Sequence, residues 1–339
     1  TMRPAMPHAL RFVAVLACAL IGLVAPERSA AYRVSVEYRL FRNWNGIISA
    51  TSCGLELSGP NLVSRTGLGI GVAGSGPEDE MIDGGESVRM RFELPVRNLA
   101  YWVSAASNGD GDGLVGEHFV EALVDDVSLG VVAVHGTGLK DMAALFGKAA
   151  IDELAITAGA DGIRIRTVSY DLAPDQSIRV PIVQLANAEP TELAHCGLTF
   201  TSSSGVLGLD DALGVFGGAG DYWIDPGEVL SVELGEPVTQ IRYQVNGYDS
   251  NGNSKVGEHF VEAFDELGDS LGFRSATSGA EVDLEALFGG VAIGRFELTG
   301  ADQVQLALVR LVPEPAGASG AALAALGACA ARRRRRGKR

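Results

Sequence analysis

Apolar and polar residues alternate along Val88-Arg-Met-Arg-Phe-Glu-Leu94, and the same period of two returns at Leu99, Tyr101 and Val103 after Pro95. That period turns one side of an extended chain toward a core and the other toward water, so it predicts two β-strands with a turn at the proline. The pattern recurs much later at Leu230, Val232 and Leu234, then at Ile241, Tyr243 and Val245. Between and after these blocks the octapeptide Val-Gly-Glu-His-Phe-Val-Glu-Ala stands twice, at 115–122 and 256–263. Val120 and Ala122 make one side of its strand apolar, and Phe119 and Leu123 the other, which predicts a central strand buried on both faces. Each copy is expected to pass through an acidic turn, Asp125-Asp126 or Asp265 to Asp269, into a further strand at Leu129 or Leu271.

The match extends outward in constant order. Cys53-Gly54-Leu55 faces Cys196-Gly197-Leu198, Asp83 and Gly85-Glu86 face Asp225 and Gly227-Glu228, and Gly159-Ala160-Asp161 faces Gly300-Ala301-Asp302. The chain therefore holds two copies of one unit, over 32–173 and 174–312, each the size of a domain. One short helix interrupts each: Asp141 and Asp283 are its N-caps, and Gly147 and Gly289 stop it. The last strand starts at Ile163 or Val304. The fold class is all-β: two tandem antiparallel β-sandwich domains, jelly-roll-like, each with one short helix.

Both ends differ from the body. Arg3 and Arg11 precede an apolar run from Phe12 to Val24, and Ser29-Ala30-Ala31 supplies small residues, the layout of a signal peptide over 1–31. At the other end, Val312-Pro313-Glu314-Pro315 leads into uncharged small and apolar residues 316–331, then Arg332, Arg333, Arg334, Arg335 and Arg336. This order resembles the PEP-CTERM sorting signal, over 312–339. The resemblance implies an exported protein of a Gram-negative bacterium, recognised by an exosortase and destined for the cell envelope, cell surface or extracellular matrix. Sixteen helical residues span about 24 Å, short of a hydrocarbon core of about 30 Å, so the segment suits transient anchoring in the inner membrane. The arginines would hold the tail on the cytoplasmic side. The two sandwiches also resemble, loosely, the galactose-binding-like jelly rolls that accompany such signals, through patterns such as Ala263 to Gly272.

Without residues 1–31 and 316–339 the chain keeps 17 Lys and Arg against 41 Asp and Glu, a net charge of −24. Such a surface repels nucleic acid and anionic lipid. Cys53 and Cys196 occupy matching places, so neither repeat can close a disulfide within itself; equivalent sites in tandem domains tend to lie a domain's width apart, and two buried thiols are expected rather than a bridge. Within the octapeptide, Glu117, His118 and Glu121 lie beside a core strand, which predicts a structural His–Glu pair. No second histidine stands at ligand spacing for zinc.

The loop before each octapeptide carries oxygen side chains at alternate positions: Asn108, Asp110 and Asp112 in one copy, Asp249, Asn251 and Asn253 in the other. A calcium ion accepts such an exchange of Asp and Asn. An Asx-Gly hairpin loop uses the same residues for their turn geometry, and both readings stay open. Asp79, Asp83 and Glu86, matched by Asp221, Asp225 and Glu228, form a second acidic set. No nucleophile elbow, zinc helix or phosphate-cradling glycine loop appears, so the expectation is a protein that is not an enzyme. The leading reading is a non-catalytic envelope or matrix protein whose sandwiches bind exopolysaccharide or support surface structure. The alternatives are a calcium-stiffened structural spacer without a sugar site and a glycan-active hydrolase, which needs two opposed carboxylates. An exposed ring at Trp102, Tyr222 or Trp223 would favour sugar binding.

Overall fold

A computed structural model describes residues 32–312 apart from 39–43, 66–67, 74–79, 107–114, 173–175, 183–190, 211, 217–221 and 249–255. Strands dominate, all paired antiparallel along their length, and the two expected helices lie at Met142–Phe146 and Leu284–Phe288. Both helices start and stop where the sequence places their caps. Asp141 accepts a hydrogen bond from the Ala143 N–H at 2.9 Å, Asp283 accepts one from the Ala286 N–H at 3.2 Å, and Gly147 and Gly289 end the helices at positive φ.

The predicted turn at Pro95 is replaced by a bend. Ser87–Ala106 is one strand of 20 residues whose first half pairs with Leu55–Arg65 and Ile151–Ala158, and whose second half pairs with Ile163–Asp171 and Gly138–Asp141. It serves both layers of the first sandwich, which is why the ten strands there make one continuous sheet. Proline cannot donate to the ladder, and the register against Ile151–Ala158 shifts between Arg91 and Val96, around it. In the second repeat the same path is cut into Val229–Val238 and Gln240–Tyr248, with a register shift between Glu233 and Val238 around Pro237. The two layers there are separate six-stranded sheets.

The octapeptide strands, His118–Val124 and Glu258–Asp265, are buried on one face only. His118, Val120 and Ala122 point into the core, whereas Phe119 is 37% exposed and its counterpart Phe260 43% exposed. A two-layer sandwich covers each sheet once, so the outward phenylalanines meet solvent despite the apolar pattern. Asp125 and Asp126, both at positive φ, form the two-residue hairpin turn that leads into Val127–Val134.

Strands form besides those located in the sequence, among them the one that opens each repeat. Arg33–Glu37 adds to Ile163–Asp171 and Ile178–Pro181 adds to Gln303–Val312, so each repeat opens with a strand laid against its own last strand. All strand ladders described stay within one repeat, yet residues 31–314 form one compact unit. Among the described residues no helix is long and apolar enough to cross a membrane; the predicted leader and sorting segment lie outside them.

Candidate functional site

The repeated octapeptide resolves into a pair of core hydrogen bonds. His118 is fully buried; its Nδ1 lies 2.8 Å from the Gly116 carbonyl and its Nε2 2.6 Å from the Tyr101 hydroxyl. A carbonyl only accepts, so Nδ1–H donates to Gly116 and Nε2 accepts from the Tyr101 O–H. Burial lowers the His118 pKa and raises that of Tyr101, which keeps both neutral. His259 repeats the contact with Tyr243 at 2.9 Å, and burial lowers its pKa to about 4. The expected His–Glu pair is thus replaced by a His–Tyr pair, because the glutamates alternate to the outer face. The matched Gly-Ala-Asp segments belong to the same arrangement: Asp161 and Asp302 each accept the backbone N–H of Glu117 or Glu258 at 2.8 Å, fixing where the strand starts. The string is a packing device.

Cys53 and Cys196 are joined in a disulfide, with Cα atoms 5.9 Å apart, within the range such bridges take. The expectation of two separate thiols fails for a geometric reason. Each cysteine is the first residue of a Cys-Gly hairpin turn, at φ 59° and 57°, and the two turns meet tip to tip. The Cys53 N–H donates to the Arg179 carbonyl at 3.2 Å, and the Cys196 N–H donates to the Ser35 carbonyl at 2.8 Å. Ser35 and Arg179 hold corresponding places in the two opening strands, so the repeats are related by a local two-fold axis through the bridge. Equivalent residues touch only on such an axis. His195 lies beside it, its Nε2 3.7 Å from the Cys53 sulfur and 3.4 Å from Ser52 Oγ, and burial lowers its pKa to about 4. Although three potential metal-ligand atoms meet here, the two sulfurs are bonded to each other and offer no thiolate.

The aromatic candidates separate. Trp102 stands on the outer face of Ser87–Ala106, 44% exposed. Cross-strand register places Thr167 on one side of it and Leu139 on the other, with Glu37 beyond Thr167. The Thr167 hydroxyl donates to Glu37 at 2.9 Å. The row is therefore an aromatic plate flanked by an exposed leucine and by a fixed hydroxyl–carboxylate pair. Tyr222 and Trp223 are only half-exposed, and the Tyr222 ring packs 5.5 Å from that of Phe216 and over Gly208. They do not form a comparable plate.

Asn108, Asp110, Asp112, Asp249, Asn251 and Asn253 lie outside the described residues, as do Asp79, Asp221, Pro313, Glu314, Pro315 and Arg332 to Arg336. Val312 ends the last strand. The remainder of the second acidic set closes turns: Glu86 accepts the Asp83 N–H at 3.2 Å and Glu228 the Asp225 N–H at 3.0 Å.

No family model matches the chain, and no curated protein does. Among solved structures, an allantoicase from Saccharomyces cerevisiae is similar at 11% identity, with a TM-score of 0.35, over 69% of this chain and 79% of that one. Two carbohydrate-binding domains, CBM32-1 and CBM32-2, of a Clostridium perfringens protein align at 11% identity and TM-score 0.20, over 85% and 92%. A fucolectin from striped bass serum aligns at 11% identity and TM-score 0.21, over 82% and 98%.

Proposed function

We propose that this is a non-catalytic, exported envelope or matrix protein that binds extracellular polysaccharide through the outer face of its first sandwich, after sorting by an exosortase. The observation that carries the sugar-binding part is Trp102. A tryptophan left nearly half exposed on a rigid sheet offers a flat apolar face to the C–H side of a pyranose, while the neighbouring hydroxyl and carboxylate can take its hydroxyls. Placement on a strand fixes the ring before binding, which saves ordering entropy. Export and sorting rest on the leader and the Pro313-Glu314-Pro315 tail in the sequence.

A neutral-glycan array with the exported protein tests the binding. Trp102→Ala is expected to weaken each hit about tenfold or more with the melting temperature nearly unchanged, because the ring lies outside the core. Unaltered binding in that variant would remove the assignment. Sorting is tested by intact mass: protein from the surface of an exosortase-bearing cell should lack Arg339, and replacing Pro313-Glu314-Pro315 with alanines should restore it.

A further inference from the structure

Internal repetition provides a control for what the fold itself needs, and one row of side chains departs from it. In the second repeat Arg179 pairs in register with Arg310, Arg310 with Arg242, and Arg242 with Asp283. The corresponding row in the first repeat is Ser35, Ser169, Ala100 and Asp141, paired in the same order. The terminal aspartate is shared because it caps the short helix in both copies. The other three positions hold two serines and an alanine in one copy and three arginines in the other, so the sandwich folds without the arginines.

Their presence is costly. Like charges directly opposite on neighbouring strands destabilise a sheet. The second repeat, residues 174–312, has only six Lys and Arg against 21 Asp and Glu, and half of those cations stand in this one row. Arg242 pairs with Asp283 at 3.1 Å and Arg310 with Glu281 at 3.3 Å. Arg179 is exposed and forms no ion pair among the described residues. The row opens at one end into a groove of about 620 Å³ at the junction of the repeats, lined by Arg179, Arg310, Thr51, Ser52 and Glu93. Arg310 also borders a smaller hollow of about 210 Å³ with Arg242, Asp283 and Glu285.

We infer that this arginine row is a binding site for a linear acidic polysaccharide whose carboxylates seat on the guanidinium forks. Strands lie about 4.8 Å apart, so three arginines on adjacent strands present cationic forks over about 10 Å, the reach of an extended ligand rather than of one small anion. Guanidinium groups pair with carboxylates through two parallel hydrogen bonds. The interspersed acids Glu93, Glu281 and Glu285 accept hydrogen bonds from sugar hydroxyls lying between the carboxylates, donors that a phosphodiester backbone does not offer. The site is distinct from Trp102 and does not depend on it.

The test measures binding of the full chain to polygalacturonate, to the same polymer methyl-esterified, and to single-stranded DNA, at low and moderate salt. Polygalacturonate should bind, weaken as salt rises, and lose about tenfold or more when esterified. The variant Arg179→Ser with Arg242→Ala and Arg310→Ser, which installs the first repeat's row, should lose that binding about tenfold while keeping its melting temperature and any neutral-glycan binding through Trp102. If the triple variant fails to fold, Arg179→Ser alone decides, since it breaks no ion pair; it should bind about threefold more weakly or worse. Polygalacturonate binding that is absent, indifferent to esterification, or unchanged in the folded variant overturns the inference. Equal affinity for DNA would also overturn it, in favour of a general polyanion surface. Neutral-glycan binding surviving any of these failures leaves the Trp102 reading standing.

Discussion

At the scale of single residues, the chain keeps three buried imidazoles neutral by burial and hydrogen bonding instead of by charge. His195 and His259 have pKa values lowered to about 4, and that of His118 is also lowered, in each case chiefly by burial. The unfolded chain takes up protons near pH 6.5, the folded chain only near pH 4 for His195 and His259, so the unfolded state binds more protons in between. Stability is therefore complete above about pH 6.5 and falls as pH drops toward 4, by on the order of 3 kcal/mol for each of those two histidines. Urea denaturation at pH 7 and pH 5 should show this loss before most carboxylates titrate; a flat profile would mean that these imidazoles are solvated. Tyr101→Phe removes the hydroxyl that serves His118 Nε2 and leaves a buried acceptor unmet, a loss of about 1–3 kcal/mol. The same change at Tyr243 should act likewise on His259, and either loss should be visible in the denaturation midpoint.

At the scale of elements, period-two alternation and the repeated octapeptide located the strands around Val88–Val103 and Leu230–Val245, the octapeptide strands, the strand after each and the last strand of each repeat, but not the others, and the capping residues bounded both helices to within a residue. What the pattern could not supply was which face of a two-sided apolar strand meets solvent, since Phe119 and Val120 read alike until the number of layers is known. Pro95 signalled a break in the ladder correctly, but whether the chain reverses or crosses to the other layer depends on partners far away in sequence. The arginine row was hidden for the same reason: Arg179, Arg242 and Arg310 are remote in sequence and become neighbours only through strand register. The Cys-Gly hairpins were legible as a repeated tripeptide, but not as a meeting point. Their close approach can be measured by comparing two glycines at nearly the same φ. A Cβ on Gly197 would fall 2.6 Å from the Arg33 carbonyl and 2.8 Å from the Tyr32 ring, whereas one on Gly205 meets nothing within 4 Å. Gly205→Ala should cost about 1–2 kcal/mol for the left-handed conformation alone, and Gly197→Ala distinctly more. Equal losses in thermal unfolding would show that the turn tips are not in contact.

At the scale of the whole molecule, the two repeats keep separate hydrogen-bonded sheets but share a two-fold junction that a covalent bond crosses. The bridge closes a loop with a sequence separation of 143 residues, and the chain-entropy estimate for a loop of that size is about 5 kcal/mol, with about 2–4 typical of measured cases. Exported proteins meet the oxidising conditions in which such bonds persist, so the bridge is compatible with the export proposed above. Cys53→Ser with Cys196→Ser should lower unfolding free energy by about 2–5 kcal/mol without abolishing either sandwich, since each retains its own core strands and the backbone hydrogen bonds from Cys53 to Arg179 and from Cys196 to Ser35 do not need sulfur. A reducing agent should shift the wild-type melt by the same amount and leave the double variant where it was. If the reductant moves both proteins equally, it acts elsewhere and the bridge contributes nothing. If the double variant melts in two separated steps while the wild type melts in one, the disulfide is what couples the repeats into a single cooperative unit.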